Sequence, residues 1–308
     1  MVEGVLNCLE VEVAGLKFRN PVLLAAGILG MTAGSLIRVA KAGAGGLVTK
    51  SIGLKSRRGY PNPTVVQVNC GLINAMGLPN PGIKAFSKEI RAVKRRVKVP
   101  LIVSVYGYSA EEFAETARLA AEARADAVEL NVSCPHVEKT GEIGQNPELI
   151  KEVVREVKSR ISKPVFVKLS PNVSDIAYLA ETAVKAGADG ITAINTVRAM
   201  KIDIKTGRPI LANKIGGLSG SAIKPIAVRC VYEIYERVRV PIFGCGGISN
   251  WRDAIEFILA GAAAVQVGTA IALRGLEVFR AILKGVETYI EKKGFRSVEE
   301  IVGLSHGL

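Results

Sequence analysis

Apolar and polar positions alternate along this chain in a repeating two-part pattern. Short apolar runs at 21–27, 45–51, 99–107, 126–134, 163–171, 189–196, 240–248 and 263–271 have the length of buried strands. Stretches with helical spacing follow them, at about 33–42, 82–97, 110–124, 147–161, 174–186, 222–238, 251–260 and 275–292. Helix-to-strand junctions repeat as Lys41-Ala-Gly-Ala-Gly-Gly46, Lys185-Ala-Gly-Ala-Asp-Gly190 and Leu259-Ala-Gly-Ala-Ala-Ala264, where glycine can end a helix in the left-handed region. A second junction type opens strands with Pro100, Pro164 and Pro241. Eight strand–helix units with such junctions predict an α/β fold, a (β/α)8 TIM barrel; a doubly wound open sheet is the rival. Ahead of it, residues 9–19 alternate around Ala14-Gly15 and predict an N-terminal hairpin. The pattern leaves no linker, so residues 1–308 read as a single domain.

Three connections at the strands' carboxyl ends, 52–81, 135–146 and 197–221, are too long for plain turns and predict long βα loops over the C-terminal face. Beneath them the strands end in Lys50-Ser51, Ser104, Asn131 with Cys134, Lys168 with Ser170, and Asn195-Thr196. Lys50 and Lys168 stand in otherwise apolar strands, where an unpaired ammonium is costly, and each is expected to face an anionic ligand. Glycines Gly246 and Gly247 after the seventh strand, and Gly268 with Thr269 after the eighth, offer backbone amides where barrels bind phosphate. Gly216-Gly-Leu-Ser-Gly220 adds a third glycine run. A phosphorylated cofactor across the barrel mouth fits these positions.

Cys134 precedes Pro135, which ends the strand and leaves the thiol near Asn131. A buried structural thiol is the ordinary reading; the strand-end setting makes this one a candidate nucleophile or general base. His136 adjoins it across the proline, His306 reads as tail, and Cys8, Cys70, Cys230 and Cys245 have no comparable setting.

Composition narrows the classes. Five cysteines, widely spaced and never in Cys-x-x-Cys, predict no disulfide framework, metal site or iron–sulfur cluster on this chain. The net charge of +13 is dispersed and aromatics are 5%, which argues against a nucleic-acid-binding platform. The densest basic cluster, Lys84 to Lys98, alternates with Ile83, Phe86, Ile90, Val93 and Val97 and reads as the solvated face of a helix. Neither a signal peptide nor an apolar run approaching the roughly 20 residues of a membrane span is present, and a soluble cytoplasmic protein is expected.

Asn131-Val-Ser-Cys134-Pro, together with Asn74-Ala-Met-Gly-Leu78, Lys168-Leu-Ser-Pro-Asn172, Ile194-Asn-Thr196, Gly246-Gly247 and Gly268-Thr269, resembles the flavin-containing dihydroorotate dehydrogenases. The resemblance runs from Asn20-Pro21 to about Ile301. Cysteine as the base is similar to the soluble class 1 enzymes, and the loops at 138–147 and 203–213 resemble the NAD-linked type B catalytic subunit more than the fumarate-linked type A homodimer. The resemblance implies oxidation of dihydroorotate to orotate in pyrimidine biosynthesis, with Cys134 taking the C5 proton and FMN the C6 hydride. It implies FMN contacts from Ala26, Lys50, Ser51, Ser104, Asn131, Lys168, Ile194, Gly220, Gly246, Gly247, Gly268 and Thr269. Substrate contacts would come from Lys50, Asn74, Ala75, Met76, Gly77, Leu78, Asn131, Asn195 and Thr196. It further implies a partner subunit carrying FAD and a 2Fe-2S cluster, in a heterotetramer of two plus two. Ala26 stands where many relatives have serine, and Ser104 where asparagine is common. A flavin-free isomerase or lyase acting on a sugar phosphate would also use the glycine loops, but leaves the Asn and Cys positions without a purpose.

Overall fold

Ala14 and Gly15 both take left-handed backbone angles, φ 50° and 75°, and turn β1 (Val11–Val13) back onto β2 (Leu16–Phe18) as the alternation predicts. A computed structural model describes residues 8–132 and 143–307. After the hairpin come β3 (Val22–Leu24) and β4 (Gly46–Val48), with β5 (Val65–Val68) and β6 (Gly71–Asn74) in the next connection. The chain continues through β7 (Leu101–Val105), β8 (Ala127–Asn131), β9 (Val165–Leu169) and β10 (Gly190–Ala193). A second excursion holds β11 (Val197–Met200), β12 (Ile202–Asp203), β13 (Arg208–Pro209) and β14 (Ile215–Ser219), before β15 (Ile242–Cys245) and β16 (Ala264–Val267). Strands β3, β4, β7, β8, β9, β10, β15 and β16 pair in parallel in that order, and β16 returns to β3. This is the expected eight-stranded barrel, and the open sheet is excluded.

The helices are α1 (Ala33–Lys41), α2 (Ile83–Lys94), α3 (Ala110–Glu122), α4 (Pro147–Arg160), α5 (Ile176–Lys185), α6 (Lys224–Arg237), α7 (Trp251–Leu259), α8 (Thr269–Arg274) and α9 (Glu277–Lys293). The repeated Ala-Gly-Ala junctions work as read: Gly43, Gly187 and Gly261 have φ of 117°, 110° and 115° just past α1, α5 and α7. Helix α2 buries Ile83, Phe86, Ile90 and Val93 and leaves the basic cluster outward, except that Lys94 reaches Asp126 at 2.6 Å.

Aromatic rings plug the barrel's amino-terminal end. Phe18 from the hairpin meets Phe243 edge-on at 5.9 Å, and Phe243 lies 4.6 Å from Phe166. Gly46 and Gly190 make the room: a Cβ on either would come within 2.6 Å of the Phe18 ring or 2.5 Å of the Phe166 ring.

The strand expected over 263–271 is corrected. It stops at Val267, and Thr269 already begins α8, a short extra helix that Gly275, at φ 70°, separates from α9, the helix expected from 275. The two long connections after β4 and β10 are also more than loops. Strand β14 pairs antiparallel with both β11 and β6, and β6 with β5, so the excursions join in one four-stranded sheet. The third long connection lies largely outside the described residues.

Candidate active site

The carboxyl ends of the barrel strands and that added sheet enclose a cavity of about 410 Å³, a size typical of small-molecule sites. Lys50 and Ser51 line it just past β4, Asn131 from β8, Lys168 from β9, and Ile194, Asn195 and Thr196 just past β10. The connection between β6 and α2 contributes Met76, Gly77 and Leu78, with Asn74 from β6 itself. Ala26, Gly220, Gly246, Gly247, Gly268 and Thr269 complete the nominated residues at its wall. Cys134 and His136 lie outside the described residues.

Two nominated residues stand elsewhere. Ala75 is fully buried with Ile73 and Leu211, its amide donating to the Thr64 carbonyl at 2.8 Å. Ser104 is fully buried behind Ser51, the two hydroxyls 3.0 Å apart. Ser104 therefore reaches the cavity through a relay: Asn131 Nδ2 donates to Ser51 Oγ at 2.8 Å, and Asn195 Nδ2 donates to Asn131 Oδ1 at 3.2 Å. These bonds fix which way each amide points, leaving a row of polar groups across four strand ends.

The segment from Asn74 to Leu78 is clamped from behind. Asn80, 5% exposed, donates to the Leu78 carbonyl at 2.9 Å and to Tyr106 Oη at 2.8 Å, and accepts from the amides of Gly53 and Gly82 at 3.2 and 2.8 Å. Arg57 Nε donates to the Gly77 carbonyl at 2.6 Å. Gly77 itself has φ 70°, and a Cβ there would meet the Tyr60 amide at 2.7 Å.

At the glycine-lined end, Gly247 has φ 82° and leaves no room for a Cβ, which would approach Lys224 within 2.7 Å. Gly268 differs: a Cβ there would meet nothing closer than Ala25 at 3.5 Å, so glycine keeps the space in front of its backbone open. Thr269 Oγ1 donates to Ser219 Oγ at 2.7 Å. Gly216, nominated with a glycine run, is instead buried within β14, where a Cβ would strike Ile73 at 2.7 Å.

The cavity floor is charged. Lys168, 5% exposed, lies with Nζ 4.0 Å from Cys245 Sγ and 4.0 Å from Glu129 Oε1. Burial works against its charge, but negative charge on Cys245, where that thiol ionises, and on Glu129 outweighs burial and holds its pKa above the ordinary lysine value. Burial raises the Cys245 thiol, so it is protonated at neutral pH despite the lysine's opposite pull. Cys245 was not expected at the site; it ends β15 as Cys134 follows β8, and that shared strand-end position was the available signal. Gln266 of β16 also lines the cavity and went unrecognised. Cys230, by contrast, is buried in α6 and pushed up to about 11 by burial, the inert thiol its sequence setting suggests.

Residues 8–290 match the family model described as dihydroorotate dehydrogenase. The chain belongs to the dihydroorotate dehydrogenase family. Among similar dihydroorotate dehydrogenases is one from Pyrococcus abyssi, 54% identical over 298 residues that cover 96% of this chain and 99% of the relative. A protein from Methanothermobacter thermautotrophicus is 52% identical over 301 residues, covering 97% and 98%. One from Methanocaldococcus jannaschii is 48% identical over 302 residues, again covering 97% and 98%. All three are named dihydroorotate dehydrogenase B (NAD(+)), catalytic subunit. The dihydroorotate dehydrogenase match spans every residue that lines the cavity.

Proposed function

We propose that this chain is the catalytic subunit of an NAD-linked dihydroorotate dehydrogenase, which oxidises dihydroorotate to orotate in pyrimidine biosynthesis. The observation that carries the reading is the relay from Ser104 through Ser51 and Asn131 to Asn195, set beside Lys168 and Asn74 in one cavity. An amide row of this kind suits the alternating donors and acceptors of a pyrimidine ring. Near full-length identity of about half to relatives named for this activity supports it.

FMN is the cofactor of this reading, and the residues present fit it. Gln266 Oε1 is a buried acceptor without a hydrogen-bond partner among the described residues, on the wall of the same cavity. Gly268 keeps backbone open to that cavity, and the Gly246-Gly247 turn provides a glycine-lined end for a phosphate. When bound, FMN accepts the hydride from C6 of the substrate.

The chain's own residues do the rest. Asn74, Asn131, Asn195 and Thr196 orient the pyrimidine by hydrogen bonds, with Lys50 toward its carboxylate. The segment Asn74-Ala-Met-Gly-Leu78 closes over the substrate. Lys168 supplies positive charge where negative charge develops during oxidation. Cys134 is the base that takes the C5 proton. Ala26, Ser51, Ser104, Ile194, Gly220, Gly246, Gly247, Gly268 and Thr269 hold the cofactor, Ser104 through Ser51. Residues 1–308 act as one domain in the cytoplasm. Among the described residues no helix is long and apolar enough to cross a membrane. A partner subunit with FAD and a 2Fe-2S cluster receives the electrons, in a two-plus-two assembly, and passes them to NAD. Family membership leaves the flavin-free isomerase or lyase without support.

The test is anaerobic titration of the FMN-loaded chain with dihydroorotate. Loss of the oxidised-flavin absorbance at about one equivalent is expected. A chain that takes up FMN but does not bleach would have another substrate.

A further inference from the structure

Glu129 has no part in the scheme above, yet it is a carboxylate with no solvent exposure in the middle of the barrel. Its Oε2 accepts from Thr192 Oγ1 at 2.9 Å and from Gln266 Nε2 at 3.1 Å. Strands β8 and β16 stand opposite one another in the closed order, so the Gln266 bond crosses the barrel interior. Oε1 accepts no hydrogen bond among the described residues and lies 4.0 Å from Lys168 Nζ. Two donors on one oxygen and an ammonium facing the other are the surroundings of an ionised carboxylate.

The pair is costly. A buried ion pair gains little net stability, because desolvation offsets most of its attraction, and 4.0 Å is a charge contact and no hydrogen bond. Such a pair in a barrel core therefore points beyond folding. Lys168 lines the cavity and Glu129 does not, so the carboxylate sits behind the lysine, on the side away from any ligand.

We propose that Glu129 is a positioning residue that keeps the Lys168 ammonium charged and aimed into the cavity, and so sets the electrostatic field at the flavin bound there. The inference rests on the FMN reading. The titratable groups Lys168 faces among the described residues are Glu129 from β8 and Cys245 from β15. Cys245 is a neutral thiol at pH 7 because burial raises it, which leaves Glu129 as the anion. Strands β10 and β16 present Thr192 and Gln266, which do not titrate, and Lys50 lines the same cavity just past β4.

Glu129→Gln keeps the shape and the Thr192 contact but removes the charge. Lys168 then loses its proton at a lower pH, since a buried lysine without a counter-charge falls by several units. The readout is sulfite, which adds to flavin as an anion and binds more tightly when positive charge is near. On the acid side, while the variant's lysine keeps its proton and is no longer neutralised, sulfite should bind the variant more tightly than the wild type. Toward pH 9, as that lysine loses its proton, sulfite should bind the variant more weakly. The ratio of variant to wild-type Kd should thus cross one and span at least about tenfold, the equivalent of one pKa unit. In a Lys168→Met background the same substitution should give a ratio that does not change with pH.

A ratio constant from pH 6 to 9 in FMN-loaded protein overturns the inference and leaves the cofactor reading intact; so does a ratio that still varies without Lys168. If Glu129→Gln does not retain FMN, Glu129→Asp carries the test, with a change of the same sign and smaller span expected and a flat ratio overturning it. A wild-type chain that takes up no FMN overturns the cofactor reading, and this inference with it.

Discussion

Cys245 ends barrel strand β15, yet the proton transfer proposed above belongs to a different thiol, Cys134. Cys245 is half-buried at the cavity wall, its pKa raised by desolvation, and seated against Lys168, where a neutral thiol packs and does not abstract protons. Cys134 follows Asn131, whose amide is already oriented toward the cavity by Ser51. Replacing Cys134 by alanine should leave FMN bound and lower dihydroorotate oxidation by about 10²- to 10⁴-fold, the usual contribution of a general base. Cys245→Ala should change the rate by less than about tenfold, and steady-state rates of both FMN-loaded variants check the pair. Lys168 was legible because a charge in an apolar run stands out. Glu129 stands out in the same way in Ala127-Val128-Glu129-Leu130, but its partners Thr192 and Gln266 do not. Parallel barrel strands are apolar on both faces, so the inward set cannot be read from alternation. Even the lysine's expected anionic ligand was half of the answer, since one anion it faces is inside the protein.

At the scale of elements, junction chemistry repeats and was therefore readable, while long-range pairing was not. Asp126 accepts from the Leu101 amide and pairs with Lys94, and Asp189 accepts from the Val165 amide and pairs with Lys158, one device at two turns of the barrel. The added sheet escaped notice because β14 is glycine-rich and has low strand propensity; its Gly216 serves close packing against β6. The loop feeding α7 is held by Asp253. Its Oδ2 accepts from the amide and hydroxyl of Ser249, at 2.9 and 2.8 Å, and its Oδ1 pairs with Lys224 at 3.0 Å. Burial pushes the Asp253 pKa up, but the Ser249 and Lys224 contacts prevail and hold it below the ordinary 3.8. A carboxylate depressed on folding stabilises above its unfolded value, and that stability is lost as pH falls through the folded one. Asp253→Asn should accordingly cost about 1–3 kcal/mol at pH 7, with the difference from wild type closing as pH drops below 3.8. Urea unfolding from pH 2.5 to 7 measures it. Because Gly247 and Ser249 line the cavity, the same variant should also lose FMN more readily on dilution.

For the whole molecule, the barrel order and the site's location were legible from eight repeated units, and the destination of the electrons is the part that reaches beyond this chain. Among the described residues no group of three His, Cys, Asp or Glu is arranged to hold a metal, and the sequence has no strand-linked Gly-x-Gly-x-x-Gly. The sheet formed from the β4 and β10 excursions contributes Val65, Leu72, Asn74 and Ser219 to the cavity wall. Direct hydride transfer to NAD needs the nicotinamide held against the flavin ring. The proposed route through a partner subunit accords with relatives that are named as catalytic subunits. The FMN-loaded chain alone should therefore couple dihydroorotate oxidation to a small one-electron dye, yet reduce NAD at less than about 1% of that rate, below what positioning normally contributes. Adding an FAD and iron–sulfur subunit should restore NAD reduction without altering the dye rate. Efficient NAD reduction by the isolated chain would remove the partner from the scheme, and rapid turnover with fumarate would move the chain to the homodimeric type.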